Sequence, residues 1–206
     1  MDLPDSLPAR VCLLAYDPAR GRLTARSRLA LVLRAAALVE LWMGGHLQEE
    51  VDGRPQANAR AALPVDPVLS AVLDDIGSSR PRRWRHWIRR HAEATRAAVT
   101  DQLAAGGWIE VHQQRNLRVL PSNTVTVHDP QVLALLGDRV RAALRPDTPV
   151  AAVDPRDAAL VALAAAGQLP TVLAKTDRHQ HEERIEALST VAGPAVPALR
   201  QLATFG

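Results

Sequence analysis

Residues 27–45 read Ser-Arg-Leu-Ala-Leu-Val-Leu-Arg-Ala-Ala-Ala-Leu-Val-Glu-Leu-Trp-Met-Gly-Gly. As a helix this run is apolar on nearly every side, so it must be enclosed by other elements and not laid on a surface. Gly44 and Gly45 supply a C-terminal stop. Two charges interrupt the coat, Arg34 and Glu40. A buried charge is costly unless it is paired or hydrogen-bonded, so both need partners. Arg34 has two readings. It is either a core residue satisfied internally, or a buried stem whose exposed tip presents a guanidinium to a phosphate.

The rest of the chain must supply the enclosure, and 206 residues with 47% hydrophobic content are enough for a sizeable core. Only 3% of residues are aromatic, so that core is built from Ala, Leu and Val, which favours close-packed helices. Cys12 is the single cysteine, which excludes an intrachain disulfide. The opening Met-Asp-Leu-Pro-Asp lacks the basic-then-apolar order of a secretory signal. The central run is too short and too charged for a span of about 20 apolar residues. These features predict a cytoplasmic protein.

The net charge of +3 conceals an asymmetry. Between Arg80 and Arg96 stand seven arginines (80, 82, 83, 85, 89, 90 and 96) and one acid, Glu93. That segment carries six positive charges net, leaving the remainder negative. Lys175 is the one lysine, so the positive charge is nearly all guanidinium, the group that grips phosphate bidentately. A localised basic patch of this kind favours anionic partners.

Along the chain, Ser6-Leu7-Pro8 begins a helix through Tyr16, and the turn chemistry of residues 17–21 ends it. After the central helix, residues 47–63 suggest a small hairpin. Asp66-Pro67 opens a helix with Val68, Leu69, Val72, Leu73 and Ile76 on one face. Pro81 sits in the first turn of the next, which contains Trp84, Trp87 and Ile88, and a further helix, or a continuation of that one, runs over residues 93–105 to Gly106-Gly107. Residues 108–111 and 117–120 read as two short strands around a polar tip, and residues 124–127 are extended. Asp129-Pro130 and Asp154-Pro155 start two more helices, followed by helices over 182–191 and 195–202. The fold class is mainly α: a single helical domain around a central buried helix, with one or two short β-hairpins.

Enzyme signatures are missing from the sequence: it has no phosphate-binding glycine loop ahead of a Lys-Ser/Thr pair, no nucleophile elbow and no paired-cysteine metal site. His179-Gln180-His181-Glu182 falls short of a closed ligand set and reads as a solvated helix start. Cys12 lies in an apolar run and reads as an inert core thiol. Trp84 and Trp87 among arginines suit stacking with phosphate contacts, or a membrane surface beside anionic headgroups, or simply a core face backed by solvated charge. The order helix, Gly-Gly, strand, turn, strand also suggests a winged helix. In that reading the helix over 93–105 would enter DNA and Arg115 and Arg118 would mark the wing.

Several ordered segments resemble the Golgi phosphoprotein 3 family. Leu33 to Leu41 followed by Gly45-His46-Leu47 resembles its "LRG..LIEL..RGRL" core, and residues 66–73 resemble its "GD.LLDEAL" helix. Trp87-Ile88 matches a "WI" pair, and Arg96 through Gly107-Trp108-Ile109 resembles "RERL...LVEKGVL". Val127-His128-Asp129-Pro130 falls at a "PV.DP" segment, and Asp154-Pro155-Arg156 onward resembles "DPR..ALLAL". The resemblance implies a mostly helical domain with a membrane-facing hairpin, as in relatives that bind a phosphoinositide and hold membrane enzymes by their cytosolic tails. Arg34 and Arg96 match two of the headgroup arginines of those relatives. Ala25 stands at the position of their tryptophan and Glu93 at that of a third arginine.

The expected site is therefore a lipid headgroup surface formed by Arg34, Arg96, Arg89 and Arg90, the last two added from the charge argument. The membrane-contacting hairpin would present Trp108, Leu117, Val119 and Leu120. The expected partners are anionic lipid headgroups and cytosolic tails of membrane enzymes; nucleic acid is disfavoured and oligomerisation is left open. No metal, cofactor or catalytic residue is expected, and the protein is read as cytoplasmic and peripherally membrane-associated. The alternatives are a winged-helix nucleic-acid-binding protein and a protein adaptor without lipid binding.

Overall fold

A computed structural model describes residues 3–114 and 122–203. Its centre is the apolar run, which forms α2 (Arg26–Met43). Leu33, Leu38, Val39 and Leu41 are fully buried, and the small side chains of Ala35, Ala36 and Ala37 let neighbouring helices approach the backbone closely. Six helices surround it: α1 (Leu7–Leu14), α3 (Pro67–Gly77), α4 (Trp84–Arg89), α5 (Ala92–Ala105), α7 (Pro155–Ala166) and α10 (Ala195–Ala203). α6 (Pro130–Leu144), α8 (Lys175–Gln180) and α9 (Glu182–Ala192) complete the α-helices of the described residues, with α6 and α9 packed on α7. Among the described residues, three two-stranded antiparallel sheets complete a mainly α fold.

The helix ends follow local chemistry. Asp66, Asp129 and Asp154 each cap a helix whose first residue is proline; the Asp66 carboxylate accepts from the amides of Val68 at 2.8 Å and Leu69 at 3.0 Å. α2 ends because Gly45 adopts φ 73°, which lets the amide of His46 reach back to the Leu41 carbonyl at 2.8 Å. α1 has no side-chain cap from Ser6. Instead the Glu40 carboxylate, projecting from α2, accepts the Leu7 amide at 2.7 Å and the Arg156 guanidinium at 3.1 Å. This satisfies the second charge of the central run internally.

Burial pushes the Glu40 carboxyl above its ordinary value, against the Leu7 hydrogen bond and the charge of Arg156, which pull it down. Folding therefore favours the protonated form, and the Glu40 contribution weakens as pH rises through its folded-state value. Glu40→Gln, which keeps an acceptor for Leu7, is expected to change stability at neutral pH by less than about 1 kcal/mol. Glu40→Ala is expected to cost about 1–2 kcal/mol, because the first turn of α1 loses its acceptor. Chemical denaturation at pH 7 distinguishes the two, and equal losses would show that the carboxylate is not the cap.

Several elements differ from the sequence reading. α1 ends at Leu14 and not at Tyr16, and residues 17–21 are more than a turn, since β1 (Tyr16–Asp17) pairs with β2 (Arg22–Leu23). The small hairpin is β3 (Leu47–Glu49) with β4 (Pro55–Ala57), ending before residues 58–63. Pro81 precedes α4 and does not open it, because Arg83 is the N-cap and extended. The strand partner of β5 (Ile109–Gln114) is β6 (Ser122–Val127), with Ile109 opposite Val127 and His112 opposite Thr124. The expected strand over residues 117–120 lies outside the described residues. α8 was not foreseen, since six polar residues carry no apolar period. None of the described helices is long and apolar enough to cross a membrane.

Candidate anion-binding surface

α4 alternates faces at helical spacing. Trp84, Trp87 and Ile88 are buried, while Arg85, His86 and Arg89 are exposed. Two indoles fasten it. Trp84 donates from Nε1 to Glu49 at 2.7 Å and meets Trp42 edge-on, with ring centroids 5.9 Å apart. Trp87, wholly enclosed, donates from Nε1 to the carbonyl of Arg82 at 3.1 Å, which ties the segment preceding the helix to its core face. Arg80, Arg82, Arg83, Arg85 and Arg89 are all exposed, and none forms an ion pair among the described residues. Five guanidinium groups are thus displayed by a rigidly held segment.

Below this surface lies a three-way ion pair. Asp75 on α3 accepts from Arg34 Nη2 at 2.7 Å through one oxygen and from Arg90 Nε at 2.8 Å through the other. The His91 ring stands 3.9 Å from the same carboxylate. Burial on its own would raise the Asp75 carboxyl. The Arg90 hydrogen bond together with the charge and hydrogen bond of Arg34 outweighs it, and the net shift is downward.

Arg34 is only 3% exposed. Besides Asp75, it donates from Nε to the Trp87 carbonyl at 3.1 Å and from Nη1 to Thr95 at 3.3 Å. The expectation of an exposed guanidinium tip is therefore corrected. The side chain joins α2, α3, α4 and α5 from inside, because a charge at that depth needs every donor met.

The four arginines expected to converge are divided. Arg34 and Arg90 meet on Asp75, and Arg90 is partly exposed. Arg89 is exposed on α4. Arg96 pairs with Glu93 at 2.8 Å one turn back on α5 and lies near Cys12, whose thiol it influences. Burial pushes that thiol up to about 12, against the charge of Arg96 and a hydrogen bond from Thr100. Such a thiol is not a nucleophile at neutral pH. Sequence reasoning passed over Asp75, although an acid one turn from the end of an apolar helix, ahead of an arginine cluster, was a usable signal for a counter-ion.

On the hairpin, Ile109, Val125 and Val127 face the core, while Glu110, His112, Thr126 and His128 face outward. Trp108 is half-buried against the core. Leu117, Val119 and Leu120 lie outside the described residues. No group of His, Cys, Asp and Glu among the described residues is arranged to hold a metal ion.

The Golgi phosphoprotein 3 (GPP34) family model matches residues 7–203, nearly the whole chain, and the protein belongs to that family. No curated protein matches the chain in a sequence comparison.

Proposed function

We propose that this protein is a peripheral membrane protein that docks on anionic lipid surfaces, of phosphoinositide type, through the segment from Arg80 to Arg90, and serves there as an adaptor for membrane enzymes. The observation that carries the reading is the set of five exposed arginines without carboxylate partners, two on the short helix α4 and three on the segment leading into it, fastened by two buried tryptophans. Guanidinium groups at a membrane surface each contribute about 1 kcal/mol of attraction to anionic lipid. Arg90, partly exposed and already oriented by Asp75, stands at the inner edge of this surface. Arg34 acts as a positioning residue, fixing the backbone of Trp87 from below. Family membership supports a binding role and gives no reason to assign catalysis.

Flotation with vesicles of neutral lipid, with and without an anionic phosphoinositide, tests the reading. Binding is expected only to the anionic vesicles and to fall with salt. Changing Arg82, Arg83 and Arg85 together to Glu is expected to weaken it by about a hundredfold or more. Binding that ignores lipid charge, or survives the triple change, would overturn the proposal. The winged-helix reading is disfavoured by α5, whose exposed face is mainly alanine with Glu93 and Asp101. A helix of that composition does not suit the phosphate backbone.

A further inference from the structure

Arg90 and His91, neighbours in the chain, address the same oxygen. Oδ1 of Asp75 accepts from Arg90 Nε at 2.8 Å, and His91 Nε2 stands 3.9 Å from that atom, too far for a hydrogen bond. The other oxygen is held by Arg34 at 2.7 Å. We propose that His91 is a proton-operated latch: a protonated ring takes Oδ1, and Arg90 swings out to join the guanidinium groups that meet lipid phosphate. The latch regulates the lipid surface proposed above and rests on that reading.

Geometry makes Arg90 the cation that leaves. Arg34 is sealed in and held by the Trp87 carbonyl and Thr95. The backbone of His91 is pinned, because its carbonyl accepts from the amide of Thr95 at 2.9 Å and from its hydroxyl at 3.1 Å. The His91 side chain is 57% exposed and needs to close by only about 1 Å to reach charge-assisted distance. Arg90 is partly exposed, and its side chain makes no hydrogen bond among the described residues besides the one to Asp75. The charged and titratable groups around the ring are Asp74 and Asp75 on α3, Arg34 on α2, His86 on α4 with Arg90 at its end, and Asp101 along α5; the loop after β4 contributes the neutral Asn58. Burial raises the Asp75 carboxyl, but Arg90 and Arg34 outweigh it, so the group stays ionised where histidine titrates. Burial and then the charges of Arg82 and Arg90 lower His86, so that ring stays neutral further into acid than an ordinary imidazole. A protonated His91 therefore sets three cations around one carboxylate. Release of the exposed, singly bonded one relieves the excess.

The test sediments the full chain with phosphatidylcholine vesicles carrying phosphatidylglycerol, whose phosphodiester keeps its charge throughout. Binding is compared at about pH 7.5 and about pH 5.5, either side of the ordinary histidine value of about 6.5. His91→Asn introduces a residue that tolerates positive φ and takes up no proton. The gain in affinity at the lower pH is expected to be about fivefold larger in the parent than in His91→Asn, the worth of one guanidinium at the surface. His86→Gln is expected to keep most of the parent's gain. Equal gains in parent and His91→Asn, or a gain lost in His86→Gln, would overturn the latch.

A second measurement needs no lipid. As pH falls, the Arg90 Nε–H resonance in nitrogen-15 NMR is expected to move toward that of a solvent-exposed arginine, with the same midpoint as the His91 ring. An Arg90 signal that ignores the His91 titration would sink the latch, even if His91→Asn fails to fold. The expected movement in a protein that binds no vesicle at either pH would remove the lipid reading and leave the latch standing. Vesicle binding with a static Arg90 signal would do the reverse.

Discussion

Arg34→Ala is expected to cost about 3–5 kcal/mol of folding stability, the typical loss when one partner of a buried ion pair is removed. The change withdraws three donors at once and leaves the Trp87 carbonyl, the Thr95 hydroxyl and one oxygen of Asp75 without them. Arg34→Lys keeps the charge but not the planar fork, so it is expected to recover only part of the loss. Urea titration of both variants checks this, and an alanine variant within about 1 kcal/mol of the parent would show that the pair holds nothing. A pH arm follows from Asp75, whose carboxyl is held below its ordinary 3.8. A group with a lowered folded-state value contributes stability above its unfolded value and loses it as pH falls through the folded one. The parent should therefore lose stability in acid below about pH 4 more steeply than Arg34→Ala does.

Gly193→Ala should be nearly as damaging. Gly193 adopts φ 83° and ψ −172°, a region that side-chain-bearing residues avoid at about 1–3 kcal/mol. A Cβ there would also stand 2.5 Å from Cδ1 and Nε1 of Trp42. Strain and overpacking together predict a loss of about 2–5 kcal/mol. Trp42 is the ring that Trp84 meets edge-on, so the displacement should reach α4 and its arginines. The expected readout is a lower melting temperature, a changed tryptophan near-ultraviolet signal and weaker vesicle binding. A variant that melts normally with an unchanged signal would show that the ring has room to move.

The parts of the fold legible in the sequence were those written in local chemistry. The central helix was readable because its apolar coat has no polar side, and α3, α6 and α7 because each begins with Asp-Pro. The boundary between α4 and α5 was not, since it falls at His91, a non-glycine residue with φ 55°, held beside Asp75 by tertiary packing. The β-branched residues at 124–127 mark β6 as extended, but its pairing with β5 is not written locally, because the register is set across the whole hairpin. At the site, the charge count found the exposed segment, but the partners of the arginines are set by contacts far apart in sequence. Nothing near Arg34 announces Asp75, 41 residues on. Arg34 and Arg96, matched to the family by position, are engaged by different acids for the same reason.

Asp75 also divides its two arginines by how replaceable they are. Arg34 is sealed in, so no soluble ion can take its place without unfolding the junction of four helices. The Arg90 side chain is 39% exposed and makes one hydrogen bond, to a carboxylate that Arg34 still neutralises if Arg90 leaves. The surface arginine is therefore detachable and the interior one is permanent. On the proposed lipid-docking reading, this asymmetry would let the molecule lend a guanidinium to an incoming phosphate and take it back, with the core beneath keeping its counter-ion throughout.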